Sequence, residues 1–243
     1  MSQKPKFILP FILFSLIFIT LCTVFFLLGY RPQKVTNNDA SDFKRYPIVV
    51  IDAGHGGEDG GAVGINGALE KDINLAIAKR LYATLSAEGI ECVLTRSEDT
   101  LLYDRNQDYE GRKKALDMKA RLQIVSKYEN VIFVSIHQNS FPVEKYSGFQ
   151  AYYSSNSEAS QNLASTIEQS IKNSLQPSNK RVAKASEGKI YLLDNLSCPA
   201  VLLECGFLSN AEECALLCTA EYQERLCSAI SDGIISFFNQ SQQ

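Results

Sequence analysis

Four β-branched residues in succession, Ile48-Val49-Val50-Ile51, constrain this chain more than any other stretch of it. A strand with one face in water alternates apolar and polar residues. An unbroken run belongs to a strand covered on both faces, as in a parallel sheet packed between helices. The first such strand is predicted over residues 47–52, and comparable runs recur at 90–95, 131–136, 149–153, 190–193 and 200–204. Between them the apolar period lengthens to that of a helix. Ile73, Ile77, Leu81 and Leu85 recur at every fourth position, and Leu116, Leu122 and Val125 mark a second helix. Residues 157–175 and 220–238 read as a third helix and a terminal one. Strands alternating with helices predict a single α/β domain with a mostly parallel central sheet flanked by helices.

The first 45 residues do not share this pattern. Residues 7–30 carry no charge and are dense in Phe, Ile and Leu, and about 20 such residues cross a bilayer core. The run ends in Leu27-Leu28-Gly29-Tyr30 without a small-x-small cleavage pattern, and Leu21 before Cys22 does not suit a lipoprotein signal. The expected organisation is a signal anchor over 1–30, a polar linker over 31–45 and a catalytic-sized domain over 46–239. Lys4 and Lys6 precede the span while Arg31 and Lys34 follow it, so loop charge does not set its orientation. The whole chain carries a formal charge of −3, which excludes the basic field of a nucleic-acid binder. Its seven cysteines show no framework spacing and are expected to act as small buried hydrophobes. The alternative is a disulfide or second metal site, with Cys214 and Cys218 four residues apart on the same side of an expected helix.

Seven of the 14 glycines crowd between Gly54 and Gly67, directly after the first strand. That density means a backbone at positive φ or in close contact with something. No Lys-Ser/Thr pair follows as a phosphate-binding loop requires, and the dinucleotide fingerprint fails at Asp59. What the stretch does hold is His55, one of two histidines; the other, His137, closes the strand predicted over 131–136. Ligands gather beyond the carboxyl ends of strands in open α/β sheets, and both histidines fall there. Glu70 continues the apolar stripe of Ile73, Ile77 and Leu81 by one step, so its carboxylate is expected on the core side of the first helical turn. Alone, it would read as a helix N-terminal acid favoured by the dipole. Glu204 ends the apolar run Val201-Leu202-Leu203, where it reads as an ion-pair partner or as a general base with a raised pKa. Two His, one Glu and a water make a four-coordinate catalytic zinc site, and a second Glu beside it suits amide hydrolysis.

Four segments carry a resemblance. Ile51-Asp52-Ala53-Gly54-His55-Gly56-Gly57, Leu69-Glu70-Lys71-Asp72, Ser135-Ile136-His137-Gln138-Asn139 and Leu203-Glu204-Cys205-Gly206-Phe207-Leu208-Ser209-Asn210 resemble, in order, the signatures of the zinc-dependent N-acetylmuramoyl-L-alanine amidases of amidase type 3. The resemblance implies Zn²⁺ on His55, Glu70 and His137, with Glu204 as the catalytic carboxylate. It also implies hydrolysis of the amide between the lactyl group of N-acetylmuramic acid and L-alanine of the peptidoglycan stem peptide. Ala53 stands where many relatives carry Pro, and Cys205 where Val or Thr-like residues are common. Residues 109–115, 146–150 and 189–195, with the short N-terminal span, are most similar to the spore-cortex branch of that family. That likeness implies a role in cortex maturation, with muramic-δ-lactam formation, in an extracytoplasmic domain tethered to the membrane or secreted. The forespore intermembrane space is the compartment implied, and an accessory or activator protein is an open question.

Asn139 and Arg121 are the candidate substrate contacts, Arg121 toward a stem-peptide carboxylate; a turn-capping Asn and a solvated helix Arg are the plain alternatives. The basic cluster Arg112, Lys113, Lys114 and Lys119 is either an anionic-wall contact or a solvated helix face. Two other functions compete with the zinc amidase: a cysteine hydrolase using Cys205 with His137, and a membrane-anchored wall-binding or assembly protein without activity.

Overall fold

The computed structural model describes residues 46–104, 106 and 111–240. The predicted anchor (1–30) and linker (31–45), with Cys22 and the pair Tyr109 and Glu110, lie outside the described residues. Among the described residues no helix is long and apolar enough to cross a membrane.

The described chain folds as β1 (Ile48–Ala53), α1 (Glu70–Ala87), β2 (Cys92–Leu94), α2 (Lys113–Val125), β3 (Val131–Asn139), β4 (Gln150–Tyr153), α3 (Glu158–Ser174), β5 (Lys184–Ala185), α4 (Tyr191–Asp194), β6 (Ala200–Phe207), α5 (Ala211–Leu217) and α6 (Ala220–Gln240). The six strands form one sheet in the order β2-β1-β3-β6-β4-β5. β2, β1, β3 and β6 are parallel, whereas β4 joins β6 antiparallel and carries β5 parallel to itself. The sheet is thus mostly parallel, and helices cover it. Successive residues of β1 supply both faces: Val49 and Ile51 belong to the core cluster that includes α1, α3 and α6, and Val50 to the cluster that includes α2 and α4. This two-sided burial is why the run never alternates. The α1 stripe Ile73, Ile77, Leu81 and Leu85 is buried throughout, each such side chain contributing about 1.5–3 kcal/mol of transfer free energy.

Residues 190–193, expected as a strand, form the short helix α4 instead. A four-residue apolar run does not distinguish the two states. Asp194 Oδ2 accepts from the Ile190 N–H at 2.9 Å and closes the turn, which lets Leu192 and Leu193 reach the α2 side of the sheet. α5 falls where Cys214 and Cys218 are expected on one side of a helix, and Asn210 caps its start: its Oδ1 accepts from the N–H groups of Glu212 and Glu213, both at 3.1 Å.

Candidate metal centre and active site

Because β1, β3 and β6 are adjacent and parallel, their carboxyl ends share one rim. His55 lies two residues beyond β1, while His137 and Glu204 face each other in the β3–β6 register. Glu70 enters from the first turn of α1. His55, Glu70 and His137 come together so that their ligand atoms lie within 4.8 Å of one another. Glu70 Oε1 is 3.2 Å from His55 Nε2 and 2.9 Å from His137 Nδ1. The Gln138 N–H donates to Oε1 at 3.1 Å and the Ala62 N–H to Oε2 at 2.8 Å. Burial raises the Glu70 pKa, but the bonds and charges of His137 and His55 outweigh it and hold the carboxyl well below its ordinary range. Behind His55, Asp59 Oδ2 lies 3.0 Å from Nδ1, the carboxylate–imidazole arrangement that orients metal-binding histidines. Burial lowers the His55 pKa; Glu70 and Asp59 reverse this and leave it raised.

Two glycines make the convergence possible. A Cβ on Gly54 would lie 2.2 Å from His137 Nε2. One on Gly61, at φ +66°, would lie 2.5 Å from Glu70 Oε2 and 2.8 Å from His55 Cδ2. His55 itself sits at φ 62°, a left-handed conformation that costs energy in a residue with a side chain and tends to mark functional sites. The donor set therefore fits a metal: two imidazole nitrogens and one carboxylate oxygen share a focus.

Glu204 stands beside this focus with its Oε2 buried and without a hydrogen-bond partner among the described residues. Burial pushes its pKa up to about 7, with His137 and His55 opposing and Glu70 adding to the rise. A cavity of about 710 Å³ opens next to it, with Asn139 and Tyr152 in its wall. A carboxylate of that pKa, unpaired and next to a metal focus, can take and return a proton near neutrality.

Arg121 is placed differently from its expected substrate role. It is 2% exposed, and its guanidinium donates to Asp52 (2.5 Å), Asp117 (2.8 Å) and the carbonyls of Ala53 and His55 (both 2.8 Å). It holds the His55 loop rather than a ligand. Arg96, unread in the sequence, does the same from the loop after β2: it donates to the carbonyls of Ala53 at 2.8 Å and Gly54 at 3.0 Å. Neither clamp was legible in the sequence, because the backbone oxygens they grip at Ala53, Gly54 and His55 lie 42 to 68 positions away. In the basic cluster, Lys113 pairs with Glu58 at 3.0 Å and Lys114 with Asp59 at 3.3 Å, so two of its charges brace the His55 loop. The six described cysteines are all free. Cys205 faces the core cluster away from Glu204, and complete burial pushes its thiol well above the ordinary range. A thiolate nucleophile does not form there, which removes the cysteine-hydrolase reading.

An α/β sheet whose strand ends gather two imidazoles and a carboxylate beside a buried, unpaired Glu has the parts of a metal-assisted hydrolase. Comparison with known proteins gives the family: residues 49–236 match the model for N-acetylmuramoyl-L-alanine amidase, and the chain belongs to that family. The germination-specific N-acetylmuramoyl-L-alanine amidase of Bacillus subtilis (strain 168) is 35% identical over 225 residues, covering 88% of this chain and 94% of the relative. AmiA of Escherichia coli (strain K12) is 32% identical over 236 residues, 79% of this chain and 76% of its own. Among solved structures, the CwlD amidase of Clostridioides difficile in complex with the GerS lipoprotein superposes with a TM-score of 0.75 at 38% identity, covering 80% of this chain and 99% of that one.

Proposed function

We propose that this protein is a zinc-dependent amidase that cuts between the lactyl group of N-acetylmuramic acid and L-alanine of the peptidoglycan stem peptide. The observation that carries the reading is the unpartnered Oε2 of Glu204 beside the convergent His55, Glu70 and His137. Zn²⁺ held by those three residues would polarise the scissile carbonyl and acidify a water. Glu204 takes one proton from the attacking water as its oxygen bonds to the carbonyl carbon. As the C–N bond breaks, Glu204 returns that proton to the departing alanine nitrogen. Asp59 holds the His55 ring, and the Ala62 and Gln138 N–H groups hold the Glu70 carboxylate. Arg121 and Arg96 keep the Ala53–His55 backbone in place.

The germination-specific relative, matched along 88% of this chain, supports work on spore cortex, with stem-peptide removal leading to muramic-δ-lactam. The apolar stretch over 7–30 supports a membrane tether, followed by a linker over 31–45 and an extracytoplasmic catalytic domain over 46–239. The relative solved with a lipoprotein supports an accessory protein of that kind as partner.

Full-length protein purified in detergent and incubated with peptidoglycan tests this by release of peptides with free N-terminal L-alanine. Zinc-dependent release, lost on chelation and reduced about 10²-fold or more in Glu204→Gln, is the expected result. Release that survives chelation, or a fully active Glu204→Gln, would sink the mechanism. Wall binding without release under any condition would favour the non-enzymatic binding protein.

A further inference from the structure

Beyond Glu204 the sheet continues into β4 and β5, strands that the chemistry above leaves unused. β4 runs antiparallel to β6 with Gln150 opposite Glu204 and Tyr152 opposite Leu202. Opposed residues share a face, so Tyr152 stands on the Glu204 side, one diagonal step away and within reach of an aromatic side chain. Tyr152, Asn139 and Glu204 wall the same cavity, with Ser186, Lys189 and Ile190 on its far side. That far side is a built loop. The Ser186 N–H donates to the Tyr153 carbonyl at 2.9 Å, and Asp194 ties both Ser186 and Ile190. Lys189 is engaged with Glu187 at 2.9 Å. The Tyr152 hydroxyl, in contrast, has no hydrogen-bond partner among the described residues, and burial with the nearby Glu204 charge raises its pKa, so it remains a neutral donor.

The direction of proton return decides what lies in this cavity. Glu204 must come within about 3 Å of the departing nitrogen to return its proton, and the cavity that Glu204 itself lines is the space open beside that nitrogen. We propose that this cavity is the subsite for the departing stem peptide and that Tyr152 is its hydrogen-bond donor, given to a peptide carbonyl beyond the scissile nitrogen. This rests on the amidase reading above. Asn139, at the bulge where the β3–β6 register shifts, is the facing polar group on the same wall.

The test is Tyr152→Phe in the full-length, zinc-loaded protein. Calorimetry with the dipeptide L-Ala-γ-D-Glu reads the subsite without turnover, and kcat/KM for peptide release from peptidoglycan fragments reads it in catalysis. Dipeptide affinity and kcat/KM are both expected to fall roughly 2- to 12-fold, the range of one neutral hydrogen bond, with zinc content and Tm unchanged. Wild-type values for both readouts would overturn the proposal, as would a loss that tracks a drop in Tm or zinc content, which would make Tyr152 a packing residue. If the wild type binds the dipeptide but releases no peptide, the amidase reading fails while the subsite is still decided by the affinity of the variant.

Discussion

At the scale of single residues, the site depends on what is missing as much as on what is present. Gly61 sits at φ +66° with the place of its absent Cβ 2.5 Å from Glu70 Oε2 and 2.8 Å from His55 Cδ2. A methyl group there meets the rigid focus of the site, not the free end of a surface side chain. It also forces an L-residue into a left-handed conformation, at a cost of about 1–3 kcal/mol. Gly61→Ala is therefore expected to lower both Tm and bound zinc per chain, measured by thermal unfolding and metal analysis. A variant with wild-type zinc content would show that His55, Glu70 and His137 have more room than their positions suggest. His55 pays a similar conformational cost natively at φ 62°, and the two buried arginines that grip its loop supply the restraint.

At the scale of elements, the end of β1 is held by an ionic network. Asp52 is fully buried and accepts from Thr95 on the β2 side at 2.7 Å, Ser135 of β3 at 2.6 Å and Arg121 of α2 at 2.5 Å. Burial raises its pKa, but Arg121 and these hydrogen bonds outweigh it and leave the pKa lowered. A lowered folded pKa means stability that is present above the unfolded value of about 3.9 and lost as pH falls through the folded one. Asp52→Asn is expected to cost about 3–5 kcal/mol at neutral pH, the cost of removing one partner of a buried pair. Its stability should also decline less between pH 5 and pH 2 than that of the wild type, measured by denaturant unfolding across that range. A parallel decline would mean that Asp52 is not the group that titrates. The network also shows why Arg121 was misread from sequence. On a helical wheel it looks like one more solvated charge, and the partner that buries it lies 69 positions away. The runs at 47–52, 131–136 and 200–204, in contrast, could be read locally because two-sided burial is written into their composition. Residues 190–193 share that composition but are too short for it to choose a state, and Asp194 chose for them.

For the whole molecule, three separate segments of the chain meet at one rim: the loop after β1, the start of α1 and the end of β3. Fold class and rim position followed from strand and helix periods alone, and the two histidines at strand ends pointed to the same place. The clamps, the Asp59 support behind His55 and the β4–β5 cavity did not, because each depends on which strands are neighbours. An ion bound at such a meeting point stabilises the folded state but not the unfolded chain, so occupancy should be visible in global stability. At a free zinc concentration about 1,000 times Kd the gain is about 4 kcal/mol. For a domain of this size that raises Tm by roughly 8–16 °C. Chelation of the full-length protein is expected to remove this increment and zinc to restore it. Glu70→Gln keeps the side-chain volume but loses the charge that faces both imidazoles, so its Tm should respond little to zinc. Glu204→Gln should keep most of the zinc-dependent shift while losing peptide release, because that carboxylate lies beside the His55, Glu70 and His137 cluster and outside it. The reverse pattern, with Glu204→Gln losing the shift and Glu70→Gln keeping it, would exchange the two carboxylates between metal binding and proton transfer.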